Sequence, residues 1–285
     1  MSRKLALALA MGLGGLWSTS AAATTAADAA SEEAASADPS AYSTTIAVSA
    51  TAAQDVQPAN GGGWEFAVTP YLWMSGTKAD INTPQGEEIE VDSSFIDILG
   101  DLKFAFMGSF EARNGRFVIL NDLMYLSMGT SADGSIGPVP LEAEADMKLL
   151  STTSLLGYRV VDEGPMFLDL MAGARITTVK VDLELSGPLQ TFERDSKKTT
   201  VGPVIASRVR FPLSDRWGVA VYGDLGGFGV GADLSWQLLG TVQYDISDHW
   251  RVSAGWRHFS AKQDKNDFEV DIDLDGPIIG FSYRF

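Results

Sequence analysis

The chain has no cysteine. That absence excludes disulfide frameworks, thiolate metal sites, cysteine nucleophiles and a lipid anchor, while leaving an oxidising compartment open. Basic residues are scarce: 21 Lys and Arg stand against 37 Asp and Glu, for a net charge of −16. A nucleic-acid partner needs a basic face, so none is expected. Long apolar runs are missing as well. The longest uncharged one, Leu5 to Trp17, falls short of the roughly 20 residues that a helical membrane span requires. Histidine occurs only as His249 and His258, which leaves little for metal binding or acid–base catalysis, and no cofactor or metal is expected.

What the chain does have begins with a leader. Met1 to Lys4 is basic, Leu5 to Trp17 apolar, and Ser20 to Ala23 small, so residues 1–23 read as a secretory signal peptide. Residues 24–63 are dominated by Ala, Ser and Thr with one aromatic, Tyr42, and end in three glycines. Nothing in them is large enough to offset the entropy of ordering, and they read as a disordered periplasmic linker.

From Trp64 onward, apolar residues recur at every second position, the period of a strand with two unlike faces. Trp64, Phe66, Val68, Pro70, Leu72 and Met74 alternate with Glu65, Ala67, Thr69, Tyr71 and Trp73. Phe104, Phe106, Phe110 and Ala112 alternate with Ser109, Glu111 and Arg113, and Leu234, Trp236, Leu238, Val242, Tyr244 and Ile246 with Asp233, Ser235, Gln237, Thr241, Gln243 and Asp245. Tight turns at Asn114-Gly115, 162–165, Ser214-Asp215 and Ser247-Asp248 take turns with longer connections at 75–101, 130–140, 186–198, 226–231 and 262–267. This spacing predicts an all-β, closed antiparallel transmembrane β-barrel over residues 64–285, of ten strands, with eight and twelve left open. Two segments, 165–186 and 268–285, reverse their apolar phase midway, and a bulge is expected in each. Residues 116–129 and 141–160 alternate less cleanly.

A membrane barrel is favoured over a soluble one by strands of ten residues or more, enough to cross a ~25 Å apolar band at a tilt near 40°. Trp64, Trp217, Tyr244, Trp250 and Tyr283 sit near turn or terminal ends, where an interfacial girdle belongs. Phe281, Tyr283 and Phe285 alternate to a terminal Phe, a pattern similar to the signal read by the outer-membrane assembly machinery.

Thr69-Pro70-Tyr71-Leu72-Trp73, Met107 to Arg113, Gly157-Tyr158-Arg159, Asp224 to Gly231 and Asp275 to Phe285 resemble the small outer-membrane β-barrel proteins of proteobacteria, in the opacity-protein and OmpA-barrel class. The resemblance implies a Gram-negative outer-membrane location reached through the periplasm, with periplasmic chaperones and the barrel assembly machinery as partners in biogenesis. It carries no catalytic role.

The inward face is expected to hold Glu65, Glu111, Asp169, Asp224 and Asp233 against Arg175, Arg208, Arg210, Arg251, Arg257 and Arg284. Near-balanced charge suits ion pairs that fill a lumen better than a one-sign selectivity ring, and barrels of this size leave little open space. The expected role is structural or surface-interacting, in contact with outer-membrane lipid and lipopolysaccharide, as a monomer. A narrow small-solute channel is the alternative. Phe95, Ile98 and Leu99 have helical spacing and are expected to form a short plug in the mouth.

Three further motifs are weak. Asp271 to Gly276 matches half a calcium loop, but its twelfth position is Ser282 instead of Glu. Gly226 to Gly231 opens a strand, so it reads as a turn and not as a phosphate loop. His258-Phe259-Ser260 resembles the His-x-Ser pair of outer-membrane lipid A deacylases, with His as base and Ser as nucleophile. Glu269 has the wrong phase to serve as the orienting acid, and the chain is not expected to be an enzyme.

Overall fold

The computed structural model describes residues 63–82, 88–136, 139–186, 191–230, 232–265 and 268–285. The expected leader and linker lie outside them. The elements are β1 (Glu65–Trp73), β2 (Gly76–Asn82), β3 (Glu88–Ser93), α1 (Phe95–Asp101), β4 (Leu102–Asn114), β5 (Phe117–Ile136), β6 (Val139–Glu163), β7 (Met166–Ser186), β8 (Thr191–Pro212), β9 (Trp217–Val230), β10 (Ala232–Asp245), β11 (Trp250–Lys265) and β12 (Phe268–Arg284). All pairings are antiparallel, and β1 bonds to both β4 and β12, which closes β1 and β4 to β12 into a barrel of ten strands.

The two remaining strands form a hairpin on the rim. β2 continues along β12 in the register of β1: Trp73 lies opposite Ile278 and Gly76 opposite Asp275. β1 and β2 are therefore one ribbon with a break at Met74-Ser75. The break crowds β12, where a Cβ on Gly276 would lie 2.2 Å from the Met74 carbonyl oxygen, so only glycine fits that position.

Large apolar side chains project from all ten barrel strands: Leu72, Phe106, Phe117, Leu156, Leu170, Ile205, Val221, Leu238, Trp256 and Ile279 are all exposed. A contiguous apolar belt of this kind around a soluble protein would drive aggregation, whereas lipid solvates it. Aromatic pairs edge the belt. Trp217 packs on Tyr244 at 4.8 Å and Trp250 on Tyr283 at 4.5 Å near the turn end, and Phe104 packs on Tyr125 at 5.9 Å nearer the other.

The expected bulges in β7 and β12 are absent. β7 keeps one register along β8 from Phe167 opposite Arg210 to Ser186 opposite Thr191, and β12 keeps one along β11 from Lys265 to Trp250. The irregularities fall instead at Arg159/Val161, Leu102/Phe104 and Ala232/Leu234. The reversed phase in β7 and β12 reflects a change of surroundings. In the lower half the outward side chains meet lipid (Leu170, Ile176, Ile279, Phe281) and the inward ones include the polar Asp169, Arg175, Ser282 and Arg284. In the upper half the outward ones are charged (Lys180, Asp182, Asp271, Asp273), while Val179, Val181, Ile272 and Leu274 turn inward.

The same extension corrects two of the expected loops. β5 to β8 run for 20, 25, 21 and 22 residues, about twice what a bilayer crossing needs. Most of 130–140 and 186–198 is therefore hydrogen-bonded wall standing above the membrane. β9 and β10 are shorter, at 14 residues each, and dip through a left-handed run at Gly227, Phe228 and Gly229, the expected turn.

The helix expected near 95–99 forms, held by a capping box in which Ser94 and Asp97 bond each other's backbone. It does not act as a plug. Its contacts are chiefly with β2 and β5, none of its residues is buried, and none lines the lumen cavities.

Candidate functional site

The lumen is crossed by three polar layers. Nearest the turn end, Asp245 on β10 accepts hydrogen bonds from Arg210 at 3.1 Å, Arg251 at 2.7 Å and Arg284 at 2.7 Å, and Arg210 also donates to Gln243 at 2.9 Å. Glu65 pairs with Arg113 beside them. Above lies a bridge from β8 to β4: Arg208 donates to Glu111 at 2.6 Å and to Asp169 at 2.7 Å. Asp169, fully buried, also accepts from Arg159 at 2.8 Å, and Arg159 and Arg208 both lie over the Phe167 ring.

The third layer closes the middle of the barrel. Arg257 donates to Gln237 at 2.6 Å and to Tyr71 at 3.0 Å, and Tyr71 donates to Asp122 at 2.9 Å. Arg175 grips both carboxylate oxygens of Asp224, at 2.8 and 2.9 Å, and donates to Thr153 and Ser235; Tyr222 donates to Asp224 at 2.8 Å. These side chains come from β1, β5, β6, β7, β9, β10 and β11. Each buried charge has a partner, without which its desolvation would be prohibitive.

Cavities meet this layer from both ends. The lower, about 680 Å³, is lined by charged side chains of the first two layers, among them Glu111, Arg208 and Asp245, and bounded by the turn-end residues Pro165, His249 and Phe285. The upper, about 350 Å³, has walls that include Met124, Leu149, Val179 and Phe259. Asp122, Thr153, Gln237 and Arg257 border both.

Of the residues read as inward-facing, Glu65, Glu111, Asp169, Arg175, Arg208, Arg210, Asp224, Arg251, Arg257 and Arg284 lie in these layers. Asp233 does not: it is exposed on the rim, where it accepts the backbone N–H of Asp264. Arg159, Asp122, Tyr71 and Tyr222 were missed as members. Asp122 and Arg159 sit on β5 and β6, whose inner faces mix Leu120, Met124 and Leu155 with polar residues and so blur the alternation. Phe281, Tyr283 and Phe285 are exposed on the outer face, and Phe285 exchanges two backbone hydrogen bonds of 2.9 Å with Phe66 at the seam of the barrel.

Above the belt, the outward face of β6 to β8 carries charge in rows. Lys148, Lys180 and Lys197 lie opposite one another, then Asp146, Asp182 and Asp195, then Glu144, Glu184 and Glu193. Like charges directly opposite repel. Neighbours along each strand have opposite sign, and Lys180 bonds Asp182 at 2.9 Å, which raises the lysine pKa above its ordinary value. Glu142, Glu144, Asp146, Asp271, Asp273 and Asp275 all stand on paired strands.

His258 lies at the upper edge of the belt, its ring 4.6 Å from that of Trp236. The carboxylate it lacked in the sequence is present: Asp275 Oδ1 is 3.1 Å from Nδ1 and also accepts from Trp256 Nε1 at 2.8 Å. Asp273 Oδ1 is 3.9 Å from the other nitrogen, Nε2. Both ring nitrogens thus face carboxylates, whereas a nucleophilic Ser260 would need one of them for its hydroxyl.

No known protein family matches the chain by sequence, and no curated protein matches it. Among solved structures, it is similar to the outer-membrane protease OmpT of Escherichia coli, at 10% identity and a TM-score of 0.44, over 79% of this chain and 97% of that one. It is also similar to the translocator domain of the autotransporter NalP of Neisseria meningitidis, at 14% identity and a TM-score of 0.40, over 79% and 90%. A third is Ail, the attachment invasion locus protein of Yersinia pestis, at 13% identity and a TM-score of 0.30, over 79% and 100%. The apolar belt, the aromatic edges and the closed ring of ten antiparallel strands define a transmembrane β-barrel of the outer-membrane type.

Proposed function

We propose that this chain is a non-conducting surface barrel of the Gram-negative outer membrane, with a charged outer wall that contacts lipopolysaccharide and extracellular partners. The observation that carries the reading is the middle polar layer, where Arg257, Gln237, Tyr71 and Asp122 join β11, β10, β1 and β5 between the two cavities. Such a layer interrupts the continuous water path that conduction needs. Export through the periplasm and assembly by the barrel machinery go with this location, and the lysine row just above the belt suits the phosphates of the outer leaflet.

The test is planar-bilayer recording of the protein extracted from outer membranes, after its heat-modifiable gel shift has been checked. A folded and silent barrel is expected, and reproducible conductance steps would replace this reading with the narrow channel.

A hydrolase is a second reading, favoured only by the His258–Asp275 contact. The Asp273 carboxylate beside the second nitrogen argues for a role in which His258 and Asp275 fix Trp236 and Trp256 at the interface. His258→Ala is expected to leave the acyl pattern of lipid A unchanged, and a changed pattern would restore the enzyme.

A further inference from the structure

The upper cavity has walls of the wrong polarity for a watery vestibule. Along β7 and β12 the inward positions turn apolar where the strands leave the membrane, so the sequence places Val179, Val181, Ile272 and Leu274 inside a space that reaches the outer rim. Apolar walls around about 350 Å³ hold water poorly and take up apolar matter readily.

The space also has an entrance. Pairing between β8 and β9 ends at Val204 opposite Gly226, and pairing between β10 and β11 begins at Leu234 opposite Lys262. Above the short β9–β10 hairpin, β8 and β11 therefore stand apart, with Lys198 Nζ reaching Gln263 Oε1 at 3.1 Å across the gap. Ser196, Thr200, Gly227 and Ala261 carry the cavity up to this notch, and Phe228 and Val230 on its lip are exposed.

The floor sets the chemistry of the occupant. Arg175 is matched by Asp224, and Arg257 by Asp122, so the floor offers no uncompensated charge. Trp73, a wall residue only 3% exposed, has its Nε1 without a hydrogen-bond partner. That nitrogen is sealed from the cavity as well, so the wall there offers an occupant apolar contact.

We infer that the upper cavity is a binding site for a small neutral apolar molecule, admitted from the outside through the notch between β8 and β11. The site rests on the closed-lumen reading, because the middle polar layer is its floor.

The experiment is methyl NMR on the full chain in detergent micelles, labelled at the methionine methyls and titrated with acetophenone. Met124 and Met147 line the cavity, and Met166 at the turn end serves as internal control. Saturable shifts are expected at Met124 and Met147 and none at Met166. Benzoate, of similar shape but charged, should bind at least about tenfold more weakly, since its carboxylate would be desolvated among cations that already have partners: Arg175 and Arg257 with Asp224 and Asp122 at the floor, and Lys198 and Lys262 with Gln263 and Asp271 at the rim. Ethylbenzene, also neutral and of similar size, should bind at least as well as acetophenone, because the walls reward apolar contact. Ala261→Trp should abolish the shifts, whereas Thr178→Trp on the outer face should retain them. Should either variant fail to fold, the wild-type comparison of acetophenone with benzoate still decides. Shifts that grow linearly at all three methyls, no shift at all, or equal binding of benzoate would overturn the site. Ionic conductance would defeat the closed-lumen reading, whereas a silent barrel with unmoved methyls would defeat the ligand site alone.

Discussion

Arg208 on β8 and Glu111 on β4 are 97 residues apart in the chain and meet across the lumen with Nη1 2.6 Å from Oε2. The strands that carry them are not neighbours in the sheet. The pair therefore ties two walls that backbone hydrogen bonding leaves unconnected, and its loss should be felt by the whole barrel.

Arg208→Met should lower the stability of the barrel by about 3 kcal/mol, the lower end of the cost of stranding one partner of a buried pair. The lower end applies because Asp169 keeps Arg159. Urea unfolding followed by the gel shift reads this directly. Adding Glu111→Gln to the variant should recover part of the loss, because the stranded charge is then gone. A double variant as unstable as the single would mean that the bridge acts through packing on Phe167 instead.

The middle layer can be opened by design. Replacing Arg257 and Arg175 together by Ser removes the two guanidinium groups that fill the layer, and a water path between the cavities should result. Conductance steps are expected from this variant in planar bilayers and not from the parent.

Lipid contact can be tested on the lysine row. Lys148, Lys180 and Lys197 changed together to Gln should lower the thermal midpoint of the gel shift in bilayers containing lipopolysaccharide. In zwitterionic phospholipid the midpoint should stay within about a degree, because each headgroup phosphate is balanced by its own cation and exposed charges then contribute little. The difference should shrink at high salt. An equal loss in both lipids would mean that the row serves the fold and not the membrane.

At the seam, Phe285 bonds Phe66 through both backbone groups, and the two rings stack at 5.5 Å. Deletion of Phe285 should reduce the heat-modifiable protein recovered from outer membranes several-fold. Wild-type yield in that strain would show that neither the terminal signal nor the seam contact matters to assembly.

The belt, the tight turns and the strand number were legible because lipid on one side and a polar lumen on the other impose a two-residue period. Where that contrast fails, so does the reading. In β7 the outward side changes from Ile176, in lipid, to Lys180, in water, while the inward side changes from Arg175 to Val179. Such a reversal has the form of a slipped phase, and a bulge is its simplest account. The ladder shows instead an unbroken strand that passes from one solvent to another. The same confusion turned the upper parts of β5 to β8 into loops. α1 was legible from the spacing of Phe95, Ile98 and Leu99, but its position was not, because helical spacing does not say which wall the helix leans on. Tyr71 and Asp122 show the limit at the site: their hydrogen bond of 2.9 Å joins residues 51 apart, and no local signal announces it.

The upper walls of β6, β7 and β8 carry the outermost charges on paired strands. A partner that docks there meets a surface whose backbone is already ordered, so little freedom is lost on binding. A change in what the wall binds would then act by exchanging single side chains at fixed positions, every second residue along a strand. Insertions there would break the ladder that holds the wall upright, and the tips of the hairpins are where length could change.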